Sequence, residues 1–146
     1  MGEVSEVKAL LDEALALGLS GAEHCAKVPI ETLAANYNGC GPEWAPDWLR
    51  KILTKCHMSF LACVLIHDLR FSESDGSTSG FNYANDELEY NCLMVSNARY
   101  CVFNPFRYIW RHRSYAIADA CRLVGWSAWM DAFKKRMAQK KTISVG

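Results

Sequence analysis

Apolar residues recur at steps of three and four along most of the chain, and β-branched alternation is nearly absent. That pattern predicts an all-α fold. Residues 4–17 place Val4, Val7, Leu11, Ala14 and Leu15 on one helical face, with Gly18 as the stop. Pro29 opens a short helix through Ala35, because a proline at a first helical turn gives up only an N–H that would be unpaired anyway. From Tyr37 to about Pro46, Gly39, Gly41, Pro42 and Pro46 oppose regular structure and predict a loop. A long helix is expected from Asp47 through Trp48, Ile52, Cys56, Phe60, Cys63 and His67 to Phe71. Residues 72–80 are polar and glycine-punctuated and read as a surface connection. A further helix starts near Asn82 to Asn85 and carries Leu88, Cys92, Val95 and Tyr100. After the Asn104-Pro105 turn, residues 106–123 look helical, with Tyr108, Ile109, Tyr115, Ile117, Ala118, Cys121 and Leu123 available for packing. Gly125 separates them from a last amphipathic stretch, Trp126 to Met137.

The totals narrow the classes. With 146 residues, 51% of them hydrophobic, the chain can bury the core of one domain, and no internal repeat or second domain is apparent. Sixteen basic and sixteen acidic residues cancel, and the basic runs (Lys134-Lys135-Arg136, Lys140-Lys141) come late, so no nucleic-acid partner is called for. The acidic, amphipathic N-terminus is unlike a secretory leader, and no run of about 20 uncharged apolar residues is present. The expected location is therefore cytoplasmic or particle-associated. Seven cysteines without any C-x-x-C spacing argue against a zinc ribbon and fit mostly reduced thiols. An odd count leaves at least one without a partner in the chain.

One stretch carries chemistry that a plain core does not need. His67-Asp68 closes an otherwise apolar stripe, so a proton acceptor and an anionic oxygen donor line one cleft, about 100° apart on the helix. The glycine-broken loop upstream can turn its carbonyls toward one point, and Asn85-Asp86-Glu87-Leu88-Glu89 downstream is a carboxylate-rich helix start. A zinc site from Cys56, His57, Cys63 and His67 is disfavoured, since these residues do not share one helical face. Taken alone, Asp86 is also what a helix N-terminus favours through its dipole.

Together these motifs resemble the phospholipase A2 superfamily, and within it the short bacterial and phage-encoded members. Tyr37-x-Gly39-x-Gly41 is similar to the family's calcium loop, Cys63-x-x-x-His67-Asp68 to its catalytic helix, and Asp86 to the aspartate that orients the histidine. The resemblance covers roughly residues 36–95. It implies a compact helical domain around two antiparallel core helices, a Ca2+ ion held by carbonyls of Tyr37, Gly39 and Gly41 and by Asp68, and His67 as the base that activates water. It also implies hydrolysis of the sn-2 ester of glycerophospholipids at a membrane surface, and a possible Cys63–Cys92 bridge. Trp126, Trp129 and Phe133, beside the late lysines, have the character of an interfacial face, although core packing explains them equally. Where the family usually has tyrosine four residues after the histidine, this chain has Phe71. That departure keeps open a non-catalytic descendant, a lipid-binding or structural component.

Overall fold

The computed structural model describes residues 2–38 and 58–144, and all that follows concerns these residues. They form seven α-helices and one 3-10 turn, with no strand among them, so the chain is all-α. α1 spans Val4–Ala16, α2 Ala22–Ala26 and α3 Ile30–Asn36. The 3-10 turn Met58–Phe60 leads into α4, Leu61–Ser72. α5 is Thr78–Arg99, α6 Phe106–Val124 and α7 Trp126–Ser144.

α1 buries Val7 and Ala14, two turns apart. Its end is a Schellman motif: Gly18, at φ 63, donates to the Leu15 carbonyl, and the buried Leu19 donates to Ala14. Only glycine takes that left-handed position without a Cβ penalty. The turn aims the chain into α2, which the apolar pattern does not foretell. α2 starts beside Gly21, at φ 84, where an added Cβ would come within 2.7 Å of Ile66 Cγ2.

α4 is the central rod. Ala62, Cys63, Val64, Leu65, Ile66, His67 and Leu69 are all buried, so the helix is covered nearly all round rather than on one stripe. α5 follows after a short connection held by Asp75, which accepts from Ser77 N–H and Oγ, and by Ser77, whose hydroxyl caps α5 at Gly80 N–H. A short connection forces the two helices to run antiparallel. The cross-helix neighbours confirm it: Phe71 meets Phe81, His67 meets Asn85 and Cys63 meets Cys92.

α6 returns along α5. Its Ser114 pairs with Ser96, Arg107 with Asn97, and Arg122 with Asp86 and Glu89. α7 then folds over the α4–α5 connection, with Trp129 buried against Phe71 and Phe81, and Arg136 bonded to the carbonyls of Glu73 and Ser74.

Three expectations need correction. The described part of the Asp47-to-Phe71 helix is not continuous, since a 3-10 turn precedes Leu61; residues 47–57 lie outside the described residues. Residues 78–80 are the first turn of α5 rather than surface connection. On α6, Ile117, Ala118 and Cys121 pack as expected and are joined by Trp110 and Ser114, whereas Tyr108, Ile109, Tyr115 and Leu123 are exposed.

Candidate functional site

His67 sits just past the middle of α4, where the helix passes α5. Its Nε2 lies 3.1 Å from Asn85 Oδ1. The amide of Asn85 is oriented by a second bond, Nδ2 donating to the Phe81 carbonyl at 2.9 Å. With Oδ1 facing the ring, Nε2 must carry the proton, and Nδ1 is left with its lone pair. Burial pushes the His67 pKa down to about 4, against the opposing pull of the Asn85 hydrogen bond and the Glu87 charge. The ring is therefore neutral at pH 7, in the tautomer that presents Nδ1 as a base.

Phe71, one turn further along α4, packs against the imidazole with ring centroids 4.3 Å apart. It contributes apolar cover and no hydrogen bond. Trp129 meets Phe71 edge-on at 5.2 Å and donates its indole N–H to the Ser77 carbonyl.

Asp86 does not orient His67. Its side chain is 68% exposed and accepts from Arg122 Nη2 at 2.7 Å, toward α6. The reason is helical geometry: Asn85, Leu88, Cys92 and Val95 fall on one stripe facing α4, and Asp86 is turned about 100° away from it. Extending the apolar stripe backwards from Leu88 would have selected Asn85 from the sequence.

Asp68 faces the chain that leaves α3. Its Oδ2 accepts from the Asn38 N–H at 2.9 Å, so the carboxylate meets the residue that follows Tyr37. Tyr37 is buried and closes α3 through a bond from its N–H to the Leu33 carbonyl. Gly39 and Gly41 lie outside the described residues, as do Trp44, Trp48, Cys56 and His57. Among the described residues no three His, Cys, Asp or Glu side chains are grouped as a metal cluster would need. A site built from one carboxylate and peptide oxygens does not require such a group, and oxygen donors of this kind suit Ca2+.

Cys63 and Cys92 are brought together as buried free thiols. The Cys63 side chain hydrogen-bonds Cys92, and that bond together with burial raises the Cys92 pKa; the two residues that the resemblance pairs meet here as thiols. Cys121, behind them on α6, is pushed up to about 11 by burial.

Of the two readings open for Trp126, Trp129 and Phe133, core packing is the one that Trp129 and Phe133 follow. Trp129 is 3% exposed and belongs to a small core with Phe81 and Ala84. Phe133 packs on Gly76, where a Cβ would come within 2.8 Å of its ring. Only Trp126 keeps substantial exposure, and one side of it rests edge-on against Phe81 at 5.2 Å. Apolar patterning cannot separate a core tryptophan from a surface one when both follow the same glycine.

A second polar centre went unforeseen. Glu87 accepts from Ser20 Oγ at 2.7 Å, from Arg70 Nε at 2.8 Å and Nη2 at 3.2 Å, and from Tyr83 OH at 3.2 Å. Asn91 adds two bonds to the Ser20 backbone. This knot ties the turn before α2 to α4 and α5, and His24 adds a contact to Glu73 at 2.8 Å.

Comparison with family models, with curated proteins and with solved structures gives no match. No helix of the described residues is long and apolar enough to cross a membrane.

Proposed function

We propose that the chain is a phospholipase A2-like, calcium-dependent esterase acting on the sn-2 ester of glycerophospholipids, with Asn85 rather than Asp86 as the group that orients His67. The observation that carries this reading is the pinned imidazole: Nε2–H is held by Asn85, Nδ1 is basic, and Asp68 on the next residue is docked at the start of the glycine loop. In the reaction Nδ1 takes a proton from water while the oxygen attacks the ester carbonyl. The tetrahedral species then collapses to the fatty acid, and the imidazolium returns its proton to the departing alkoxide. Asp68 and the Tyr37 carbonyl, with Gly39 and Gly41, would hold Ca2+, whose charge serves the developing oxyanion.

Asn85 fixes the tautomer but carries no charge to balance an imidazolium, so this base is weaker than a histidine backed by a carboxylate. That feature, the cover of Phe71 over the ring and the engagement of Asp86 with Arg122 favour a second reading, a non-catalytic scaffold of the same helices. One experiment separates them. Fatty-acid release from phosphatidylcholine mixed micelles is expected with calcium and not with EDTA, and His67→Ala should lower it by about a hundredfold or more. Release that ignores both calcium and His67, or no release at all, leaves the scaffold reading.

A further inference from the structure

α6 has an inner face packed on the bundle and an outer face that no helix of the described residues covers. Ser114 and Ala118 are buried toward α5, with Ile117 and Cys121 partly buried beside them. On the outer face Phe106, Ile109, Arg113, Ala116, Ala120 and Leu123 are all exposed, Leu123 by 83%. They follow one another at steps of three, four, three, four and three residues, along a helix of 19 residues, about 28 Å. A repeat averaging about 3.5 residues is the pattern of a helix that packs lengthwise on a second helix.

Shape and charge both make this seam complementary to itself. Its large apolar side chains stand toward the ends and its alanines nearer the middle. Laid antiparallel about a two-fold axis level with Ser114 and Tyr115, a second copy sets Phe106 against Leu123, Ile109 against Ala120, and the stem of Arg113 against Ala116. Arg113 already lies over the Trp110 indole at 4.9 Å, which draws its charge to one side of the seam. The N-terminal half of α6 carries Arg107, Arg111, His112 and Arg113 and no acid. Toward the other half, Asp86, Glu89 and Asp119 share the one guanidinium of Arg122. Parallel copies would set arginines against arginines, whereas antiparallel copies place the arginine-rich half of each over the acid-rich half of the other. Beside the seam the exposed His112 then comes level with Asp119 of the other copy, and the two-fold repeats the pair.

We propose that the chain self-associates through the outer face of α6, as an antiparallel two-fold dimer whose apolar seam is Phe106, Ile109, Ala116, Ala120 and Leu123. The exposed rings of Phe103 and Phe106 offer platforms on which a nucleobase can stack, but a polyanion following the seam would run into the carboxylates around Arg122, and Ala116, Ala120 and Leu123 give it no further ring. A second copy uses the whole length instead, and brings Phe103 toward the level of the other copy's exposed Trp126. None of the seam residues is a partner of His67, so the dimer does not rest on the hydrolase reading.

Sedimentation equilibrium of the full chain tests this. Twice the mass of one chain is expected at micromolar concentration. Leu123→Asp should weaken the association by about tenfold or more and leave the helical circular-dichroism spectrum unchanged, because the side chain it replaces is exposed. Ala120→Lys, an exposed and helix-compatible change, gives the same reading should that variant misfold. His112→Glu and Asp119→Lys should each weaken the dimer by setting like charges level with one another, and the double variant should recover most of the loss, which only the antiparallel register requires. His67→Ala should associate as the unaltered chain does, whatever its esterase activity. A chain that stays monomeric up to millimolar concentration, a dimer indifferent to both seam variants, or a charge swap without recovery would each overturn the proposal. So would a monomer that binds single-stranded poly-uridine or phosphatidylglycerol vesicles through the same seam.

Discussion

Asn85 and Glu87 stand two positions apart on α5, both are buried, and they meet the cost of burying polarity in opposite ways. Asn85 faces α4 and meets a histidine through one hydrogen bond to its ring nitrogen. Burial there wins, and the imidazole stays neutral. Glu87 faces the turn before α2 and receives four hydrogen bonds, two of them from a guanidinium. Burial alone would raise the Glu87 pKa; the bonds from Arg70 and Ser20, the Arg70 charge and the Tyr83 hydroxyl outweigh it and hold the carboxyl below its ordinary value. A charge survives inside this bundle only where a full set of donors surrounds it. Where the set is incomplete, the group is kept uncharged, which is what a resting general base requires.

The comparison breaks most visibly if the donors are left without their acceptor. Glu87→Ala strands the Arg70 charge among buried groups and releases Ser20 and Tyr83 together. Removing one partner of such a pair should cost about 3 kcal/mol, read as a shift of the urea midpoint at constant slope. Because the knot also pins the turn before α2, amide exchange in residues 19–28 should rise in the same variant. A loss below about 1 kcal/mol would mean that the carboxylate is not buried at the expense its four bonds imply.

The histidine side of the comparison is sharpened by pH. The folded pKa of His67 is about 4, below its ordinary value of 6.5. Between those values the unfolded chain binds a proton that the folded chain refuses, so stability is complete above about pH 6.5 and falls as pH drops toward 4. Integrated over that window the loss is about 3 kcal/mol. Subtracting the profile of His67→Leu isolates it. Asn85→Asp should move the ring resonance to a higher pKa, since a carboxylate at Nε2 favours the imidazolium. An imidazole that titrates near 6.5 in the unaltered protein would remove the distinction between the two residues.

Much of the bundle was legible because it follows apolar spacing. The stop at Gly18, the helix after Pro29 and the break at Gly125 each rest on a local rule, and each is where the structure has it. The site was legible only in part. His67 and Asp68 stood out because neither belongs on an apolar stripe, and their neighbour across the helix pair was sought among acids. The helix instead turns Asn85 inward, and an amide is easily passed over when a carboxylate follows it. The Glu87 knot was invisible for a different reason: Ser20 and Glu87 are 67 residues apart, and no local pattern joins them. Tyr108, Ile109 and Leu123 were assigned to the core by hydrophobicity, although α6 has its small residues, Ser114 and Ala118, against α5. Close helix approach selects for small side chains, which a search for large apolar ones overlooks.

The smallest effect is the one that tests the choice between neighbours. Asp86 is one of three carboxylates on Arg122, with Glu89 and Asp119, and it is the most exposed of them. Asp86→Asn therefore leaves Arg122 with two partners and should cost about 0.5 kcal/mol or less, within the usual range for surface pairs. It should leave the His67 ring resonance and its titration where they were, because nothing on the path from Asp86 to the imidazole carries a hydrogen bond. Asn85→Leu, one residue earlier, should cost about 2 kcal/mol by stranding the buried Nε2–H. If the two variants reversed their order, with the exposed acid moving the histidine and the buried amide leaving it untouched, the support of His67 would have to pass through Asp86, and the inward turn of Asn85 would be no more than packing.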